Sequence, residues 1–197
     1  MTLFEQLDRL LELNQGLIQT SQVIEAGISK PLFYDYVKKK KMEKVSHGVY
    51  VMPDVWVDAM YLLHLRCGQA IFSHENALFF HDLTDREPLQ YVITVKTGYI
   101  PSKLKKDGIQ VYTIKKELHE VGTEWVQTPF GNEVLTYNME RTVCDVIRSR
   151  SNMEMQIYQD ALKQYFRRRN KNLRRLMEYA ALFHVERILR QYQEVLL

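Results

Sequence analysis

The stretch that decides the N-terminal fold lies at residues 20–41 and reads TSQVIEAGISKPLFYDYVKKKK. A short helical pattern, capped by Thr20 or Ser21, ends at Gly27, because glycine readily takes the left-handed conformation found at helix ends. A second helical pattern begins directly after Ser29, a residue type that favours the N-cap position. Two helices joined by a tight turn that contains glycine are typical of a helix-turn-helix.

The second helix, predicted over residues 30–41, divides its side chains between two faces. At about 100° per residue, Leu32, Phe33 and Tyr36 fall on one side and form an apolar face. The opposite side carries Lys30, Tyr34, Lys38 and Lys41. This second face suits DNA, because ammonium groups reach phosphates and residues near a helix N-terminus can meet base edges in the major groove.

A helix before this pair and a hairpin after it complete the module. Apolar residues at spacings of three and four predict the first helix over residues 3–13, and residues 17–19 are expected to form an extended link. After Met42 the apolar pattern alternates, which predicts two short strands around a turn at residues 46–48. A hairpin directly after a DNA-reading helix is a wing, so we predict a winged helix-turn-helix domain over residues 1–53.

The predicted DNA contacts come from the second helix of the pair and from the wing. They are Ser29, Lys30, Tyr34, Lys38, Lys39, Lys41, Lys44 and His47. The lysines are expected to bind phosphates, whereas Ser29, Lys30 and Tyr34 are expected to choose the sequence. Two alternatives remain at this point: a run of lysines is also typical of a plain solvated face, and short modules of this kind also bind proteins.

Residues 54–197 predict a mixed α/β domain with a helical tail, which makes the chain an α+β protein. Asp54 is expected to cap a helix over residues 55–67, and Ser73 is expected to cap the next helix. The remaining predictions are strands at 90–97, 108–115, 124–129 and 133–137, a helix at 140–150 capped by Asn138, and a helical tail at 152–195 broken near residues 170–172.

Basic residues concentrate in two blocks, a pattern that suits a polyanionic partner. Residues 15–53 hold six lysines against three acidic residues, and residues 160–190 hold nine basic residues against three acidic ones. Residues 54–150, between the blocks, hold 11 basic and 13 acidic residues. The second block predicts a further nucleic-acid surface, with a solvated helix surface as the alternative. Its members are Arg167, Arg168, Arg169, Lys171, Arg174 and Arg175.

Composition indicates where the protein works. The two cysteines, Cys67 and Cys144, are too few for a disulfide framework and suit a reducing compartment. No apolar run approaches the roughly 20 residues of a membrane-spanning helix, and the N-terminal residues lack the layout of a signal peptide. We therefore expect a cytoplasmic protein with no membrane partner. Together with the helix-turn-helix pattern, this predicts double-stranded DNA as the partner. No metal and no cofactor are expected.

Three stretches of the sequence point to one known family. The first runs from Ser21 to Tyr50 and ends in VSHGVY. The second, residues 72–88, begins FSHENAL, and the third, residues 139–145, reads MERTVCD. Together they resemble the AbiEi-type antitoxins of type IV toxin–antitoxin and abortive-infection systems. The resemblance implies that the winged helix represses its own operon at inverted repeats. It also implies that the C-terminal domain counters a co-encoded nucleotidyltransferase toxin without forming a stable complex.

The sequence supports an enzyme less well than a DNA-binding regulator, and we expect no catalysis. A metal-dependent nuclease is the main alternative, with Asp85, Glu87 and Lys96 as its candidate residues, but Thr94 stands where a second acidic ligand belongs. His74 and His81 share one helix face at metal-ligand spacing, although core or capping roles are commoner for such residues. Glu140 and Arg141 are expected to serve a structural ion-pair arrangement at a helix start.

Overall fold

The computed structural model describes residues 2–196, which divide into two compact units between Arg66 and Cys67. Each unit contains helices and its own antiparallel or mixed sheet, so the chain has the predicted α+β composition. Within residues 2–196, every helix is too short or too polar to span a bilayer.

The N-terminal unit contains four helices and a three-stranded antiparallel sheet in the order β1-β3-β2. The helices are α1 (Leu3–Leu13), α2 (Thr20–Glu25), α3 (Lys30–Lys39) and α4 (Ala59–Arg66). The strands are β1 (Leu17–Gln19), β2 (Glu43–Ser46) and β3 (Val49–Val51).

Local signals explain the first helix, whose predicted bounds are confirmed. The Thr2 hydroxyl accepts a hydrogen bond from the Glu5 backbone N–H at 3.2 Å, and the Glu5 carboxylate accepts one from the Thr2 N–H at 2.7 Å. These reciprocal bonds satisfy backbone donors that a helix start would otherwise leave free. Gln15 and Gly16 then take positive φ angles of 52° and 87°, which turn the chain out of the helix and into β1.

One apolar core joins the three N-terminal helices to the sheet. Leu7, Ile18, Val23, Phe33 and Tyr36 are each fully shielded from solvent within it. The Tyr36 hydroxyl reaches the edge of this core and donates to a carboxylate oxygen of α1 at 2.7 Å. The apolar face that was predicted for the helix at residues 30–41, which is α3, is therefore buried. The opposite side of α3 faces solvent.

Two elements of this unit, residues 17–19 and α3, differ from the prediction. Residues 17–19 form a strand instead of a link, because they pair with β3 along their whole length. Helix α3 ends at Lys39 and not at Lys41, since Lys41 takes a left-handed φ of 55° and the Met42 N–H bonds back to the Val37 carbonyl at 3.0 Å. Such a closure ends a helix by satisfying its last carbonyls.

The fourth helix also begins later than predicted. Asp58, and not Asp54, begins the helix, because its carboxylate accepts from the Tyr61 N–H at 3.0 Å. Tyr61, Leu62 and Leu65 pack against buried residues of β1 and β3. This packing attaches α4 to the N-terminal sheet, and α4 belongs to the first compact unit.

The C-terminal unit is built on a five-stranded mixed sheet in the order β6-β5-β4-β8-β7. Strands β5 and β6 pair in parallel, as do β4 and β8, whereas β4–β5 and β7–β8 are antiparallel. The strands are β4 (Ile71–Phe72), β5 (Val92–Lys96), β6 (Gln110–Ile114), β7 (Thr123–Gln127) and β8 (Glu133–Tyr137).

Helices supply most of the remaining C-terminal core. They are α5 (Glu75–Phe80), α6 (Ser102–Lys106), α7 (Lys116–His119), α8 (Met139–Arg148), a 3₁₀ turn (Arg150–Asn152), α9 (Met155–Arg167), α10 (Leu173–Leu182) and α11 (Glu186–Leu196). Buried residues of α8, α9 and α10 form one cluster, in which Val146, Leu162 and Leu176 are fully shielded. The predicted Asn138 cap is confirmed, since its side chain accepts from the Arg141 N–H at 3.0 Å.

Ser73 was predicted to cap a helix, but it does not. Its hydroxyl lies 3.0 Å from His74 Nδ1 and accepts from the Thr94 hydroxyl at 2.9 Å, so it serves a buried network instead. Strand β4, which the sequence pattern did not predict, is only two residues long. The tail breaks near residues 170–172 as predicted, and breaks again where His184 takes a φ of 58°.

Candidate nucleic-acid interface

The turn between α2 and α3 sets the position of the candidate DNA-reading helix. Gly27 takes a positive φ of 78°, and the Ile28 N–H donates to the Val23 carbonyl at 3.0 Å. Ile28 is 2% exposed, so this turn is held by its own buried side chain. The two helices therefore form a helix–turn–helix with a fixed turn.

The outward side of α3 carries the predicted lysine and tyrosine residues. Lys30, Tyr34 and Lys38 are exposed, whereas Phe33 and Tyr36, on the other side, are fully buried. Ser29 is exposed at the N-cap, and its side chain makes no capping hydrogen bond. A cationic and hydrogen-bonding face is thus mounted on a helix that is anchored by its apolar face.

Tyr34 links this face to the hairpin formed by β2 and β3. Its ring lies 6.4 Å from that of Tyr50 in an edge-on arrangement, and 5.8 Å from that of Phe33. Burial raises the pKa of Tyr50, and the neighbouring Tyr34 adds to the rise. Tyr34 remains 47% exposed, so one part of it packs while the other faces solvent.

The hairpin turn is held against the start of α2. The Gly48 carbonyl accepts from the Thr20 backbone N–H at 2.8 Å and from the Thr20 hydroxyl at 3.2 Å. Thr20 therefore tethers the hairpin and is not the helix cap that its place in the sequence suggested. His47 at the turn and Lys44 on β2 are both exposed.

The run of four lysines does not form one surface. Lys39 Nζ lies 5.1 Å above the Phe4 ring, and Lys40 Nζ lies 2.7 Å from an Asp8 carboxylate oxygen. The Lys40 hydrogen bond, followed by that of Tyr36, holds the pKa of Asp8 below its ordinary value. Lys39 and Lys40 thus turn toward α1, away from the exposed face of Lys30, Tyr34 and Lys38.

The second basic block is largely engaged in contacts within its own unit. Arg168 donates to the His81 and Asp82 carbonyls at 2.8 and 2.6 Å, and Lys171 donates to the Arg168 carbonyl at 3.1 Å. Two further members form ion pairs: Arg174 with Glu178 at 3.1 Å and Arg175 with Glu140 at 3.8 Å. Arg167 and Arg169 are exposed. Four members of the block thus contact groups of their own unit, although Arg174 and Arg175 remain exposed.

The three candidate nuclease residues, Asp85, Glu87 and Lys96, do not come together in the structure. Glu87 and Val92 line the same cavity, near the start of β5, whereas Lys96 ends that strand and pairs with Glu120 at 2.7 Å. Asp85 is exposed in the preceding loop. Within residues 2–196, no group of three or more His, Cys, Asp or Glu side chains is arranged to hold a metal ion.

Both histidines considered as metal ligands are bonded to protein groups. His74 is fully buried between the Ser73 and Ser149 hydroxyls, at 3.0 Å from each. His81 donates from Nε2 to the Tyr137 carbonyl at 2.7 Å. Their roles are therefore those of core and loop-fixing residues.

Glu140 and Arg141 are structural, as expected, but they do not pair with each other. Arg141 is fully buried, bonds to Asp145 at 2.9 Å and lies between the Tyr137 and Phe183 rings. Glu140 instead accepts from the Tyr165 hydroxyl and from a backbone N–H of the loop before α10. This arrangement fixes α8 against the helical tail.

Residues 5–53 match a protein family described as transcriptional regulator, AbiEi antitoxin. The match covers α1 to β3, the segment that holds the helix–turn–helix and the hairpin. The resemblance to AbiEi-type antitoxins is thereby confirmed for the N-terminal segment. A search of curated proteins found no match to the chain.

Proposed function

We propose that the N-terminal unit binds double-stranded operator DNA as a winged helix-turn-helix. Helix α3 enters the major groove, and the β2–β3 hairpin acts as the wing on the neighbouring backbone or minor groove. The observation that carries this proposal is the exposed face of Lys30, Tyr34 and Lys38 on a helix whose opposite face is fully buried. The match to a regulator family over the same segment supports it.

Each exposed group has a role that its chemistry suits. Lys30, Lys38 and Lys44 bind DNA phosphates. His47, at the turn of the wing, contacts the DNA backbone. The Ser29 hydroxyl, which makes no capping bond, and the Tyr34 hydroxyl are available to base edges. Lys41 contributes charge just beyond the helix end, while Lys39 contributes less because it lies beside Phe4.

We infer further that the protein represses its own operon at inverted repeats and is the antitoxin of a type IV system. The partner in this proposal is a co-encoded nucleotidyltransferase toxin, which is countered without a stable complex. Support comes from the family match and from the FSHENAL and MERTVCD stretches of the C-terminal unit. The unit from Cys67 onward is assigned the antitoxin role.

A binding assay with the DNA directly upstream of the gene tests the DNA-binding part. Wild type is expected to shift this DNA, and the double variant Lys30→Ala/Lys38→Ala is expected to lose at least tenfold in affinity. The matched control is Lys103→Ala/Lys105→Ala, which removes two exposed lysines from α6 in the other unit. A wild-type protein that fails to shift the upstream DNA contradicts the proposal.

Co-expression with the neighbouring toxin gene tests the antitoxin part. The full chain is expected to restore growth, and the toxin is expected not to co-purify with it. Co-purification in a stable complex would instead indicate a protein-interaction module. Failure to restore growth would overturn the antitoxin assignment while leaving DNA binding intact.

A further inference from the structure

A cavity in the C-terminal unit has a lining that the DNA-binding proposal does not use. It lies between α9 and α11, next to the 3₁₀ turn, and encloses about 520 Å³. Ligand sites of proteins are commonly between about 300 and 1,000 Å³, so the space suits a small molecule. It is formed by residues of one unit only.

The polar part of the lining is cationic. Arg150 and Lys163 contribute positive charge, and among the described residues the wall contains no aspartate or glutamate. Arg150 donates to the Ile147 carbonyl at 3.2 Å, which fixes its guanidinium beside the end of α8. Lys163 is exposed on α9. Two cations without a lining carboxylate favour an anion, and an arginine–lysine pair suits phosphate.

The rest of the lining suits a ring that bears hydrogen-bonding groups. Tyr158 and Tyr192 pack edge to face at 5.8 Å, and the amides of Gln159 and Gln191 complete the polar wall. Two aliphatic side chains also line the space. Aromatic side chains stack on nucleobases irrespective of base identity, and amides can bond to base edges.

Tyr158 and Tyr192 form the aromatic part of the cavity wall. Tyr158 is 2% exposed, and its hydroxyl interacts with that of Tyr192. Burial raises the pKa of Tyr158, the Tyr192 hydroxyl adds to the rise, and the Arg150 charge opposes it. These three groups therefore lie close together, and Tyr192, the less buried ring, is the one that can face a ligand.

We infer that this cavity binds a free nucleoside monophosphate, with its phosphate on Arg150 and Lys163 and its ring against the half-buried Tyr192. Inorganic phosphate alone would leave the tyrosine wall uncovered. An uncharged nucleoside would leave both cations without a counter-charge. A mononucleotide satisfies both parts of the lining at once.

Isothermal titration of the full chain with AMP and UMP, a purine and a pyrimidine nucleotide, tests the inference. At least one of them is expected to bind at least tenfold more tightly than its own nucleoside and than inorganic phosphate. Absence of binding by both nucleotides at millimolar concentration overturns the inference. Equal affinity for the nucleotide and its nucleoside overturns it too.

Matched lysine variants locate the binding. Lys163→Gln changes an exposed helix position and should preserve the fold, which circular dichroism checks. It is expected to weaken nucleotide binding at least tenfold, as is Arg150→Gln, whereas Lys103→Gln on α6 leaves binding unchanged. If Lys163→Gln and Lys103→Gln bind the nucleotide equally well, the assignment to this cavity is wrong.

Discussion

The Thr20 hydroxyl donates to the Gly48 carbonyl at 3.2 Å, and the Thr20 backbone N–H donates to the same oxygen at 2.8 Å. This pair joins the first residue of α2 to the turn of the β2–β3 hairpin, 28 positions along the chain. The hairpin and the helix pair are thereby held in one orientation. A hairpin bound only through its strands would have more freedom at its tip.

Removing the hydroxyl bond should loosen the wing without unfolding the unit. Thr20→Val keeps the shape of the side chain and the backbone bond, and we expect a loss of about 1 kcal/mol in the free energy of unfolding. Operator affinity should fall several-fold, because the wing is less well positioned. Urea denaturation and DNA titration measure the two effects. Ser21→Ala, an exposed neighbour, is the control, and an equal effect of both substitutions would contradict the tether.

Two substitutions of Tyr34 separate packing from DNA reading. Tyr34→Ala removes the ring that packs near Phe33 and Tyr50, with an expected loss of about 1 kcal/mol in stability. Tyr34→Phe keeps the ring, so stability should change by less than about 0.5 kcal/mol. Both should reduce the preference for operator over unrelated DNA. Unchanged preference in Tyr34→Phe would show that the hydroxyl does not read bases.

Much of this N-terminal surface follows from the sequence, because its signals are local. The Thr2 cap, the Gly27 turn and the apolar face of α3 act within a few residues, so the bounds of α1, the tight turn and the exposed Lys30 and Lys38 were predictable. The tether at Thr20 was not, since it depends on a bond to Gly48 that no spacing rule reveals. The same holds for Lys39 and Lys40, whose direction depends on Phe4 and Asp8 of another helix.

The C-terminal sheet shows a different limit. Strand β4 is two residues long, too short for an alternating pattern, and it exists because β5 and β8 pair with it on either side. The helix α4 was predicted, but its attachment to the N-terminal sheet was not, because an amphipathic pattern does not name the partner that covers it. The sequence pattern therefore did not predict which strands pair over long distances or which elements pack together.

His74 makes the stability of the C-terminal unit depend on pH. Full burial, followed by the nearby Arg148 and Arg141 charges, lowers the pKa of His74 to about 3 from its ordinary value of 6.5. Between these two values the unfolded chain binds a proton that the folded chain does not. Stability is therefore complete above pH 6.5 and falls as pH decreases, by about 1.4 kcal/mol per pH unit at most.

His74→Asn tests this dependence. Asparagine tolerates the positive φ of 50° found at position 74 and does not titrate. Chemical denaturation at pH 6.5 and pH 5.0 should show that wild type loses more stability than the variant over this interval, by about 2 kcal/mol. His64 and His119, whose pKa values burial also lowers, contribute equally to both proteins. Equal losses would mean that His74 protonates without cost in the folded state.

Arg141 is expected to be the most costly charged residue to replace. Its bond to Asp145 is buried, it contacts two rings, and it donates two part-buried hydrogen bonds to the Leu118 and Val121 carbonyls. Arg141→Met leaves Asp145 without its main partner, so we expect a loss of about 3–5 kcal/mol. Arg174→Met removes an exposed pair and should cost less than about 1 kcal/mol. Urea denaturation that ranks the two alike would contradict this role.

The salt dependence of operator binding measures how many DNA phosphates the lysines of α3 neutralise. A log–log plot of affinity against salt concentration has a negative slope. Its magnitude should decrease by about 0.9 for each DNA phosphate that a variant no longer neutralises. Titrations of wild type and of Lys30→Ala/Lys38→Ala over a range of salt concentrations should therefore give slopes that differ by about two, with the Lys103→Ala/Lys105→Ala control equal to wild type. A wild-type slope unchanged in the Lys30→Ala/Lys38→Ala variant would show that α3 does not bind the phosphates.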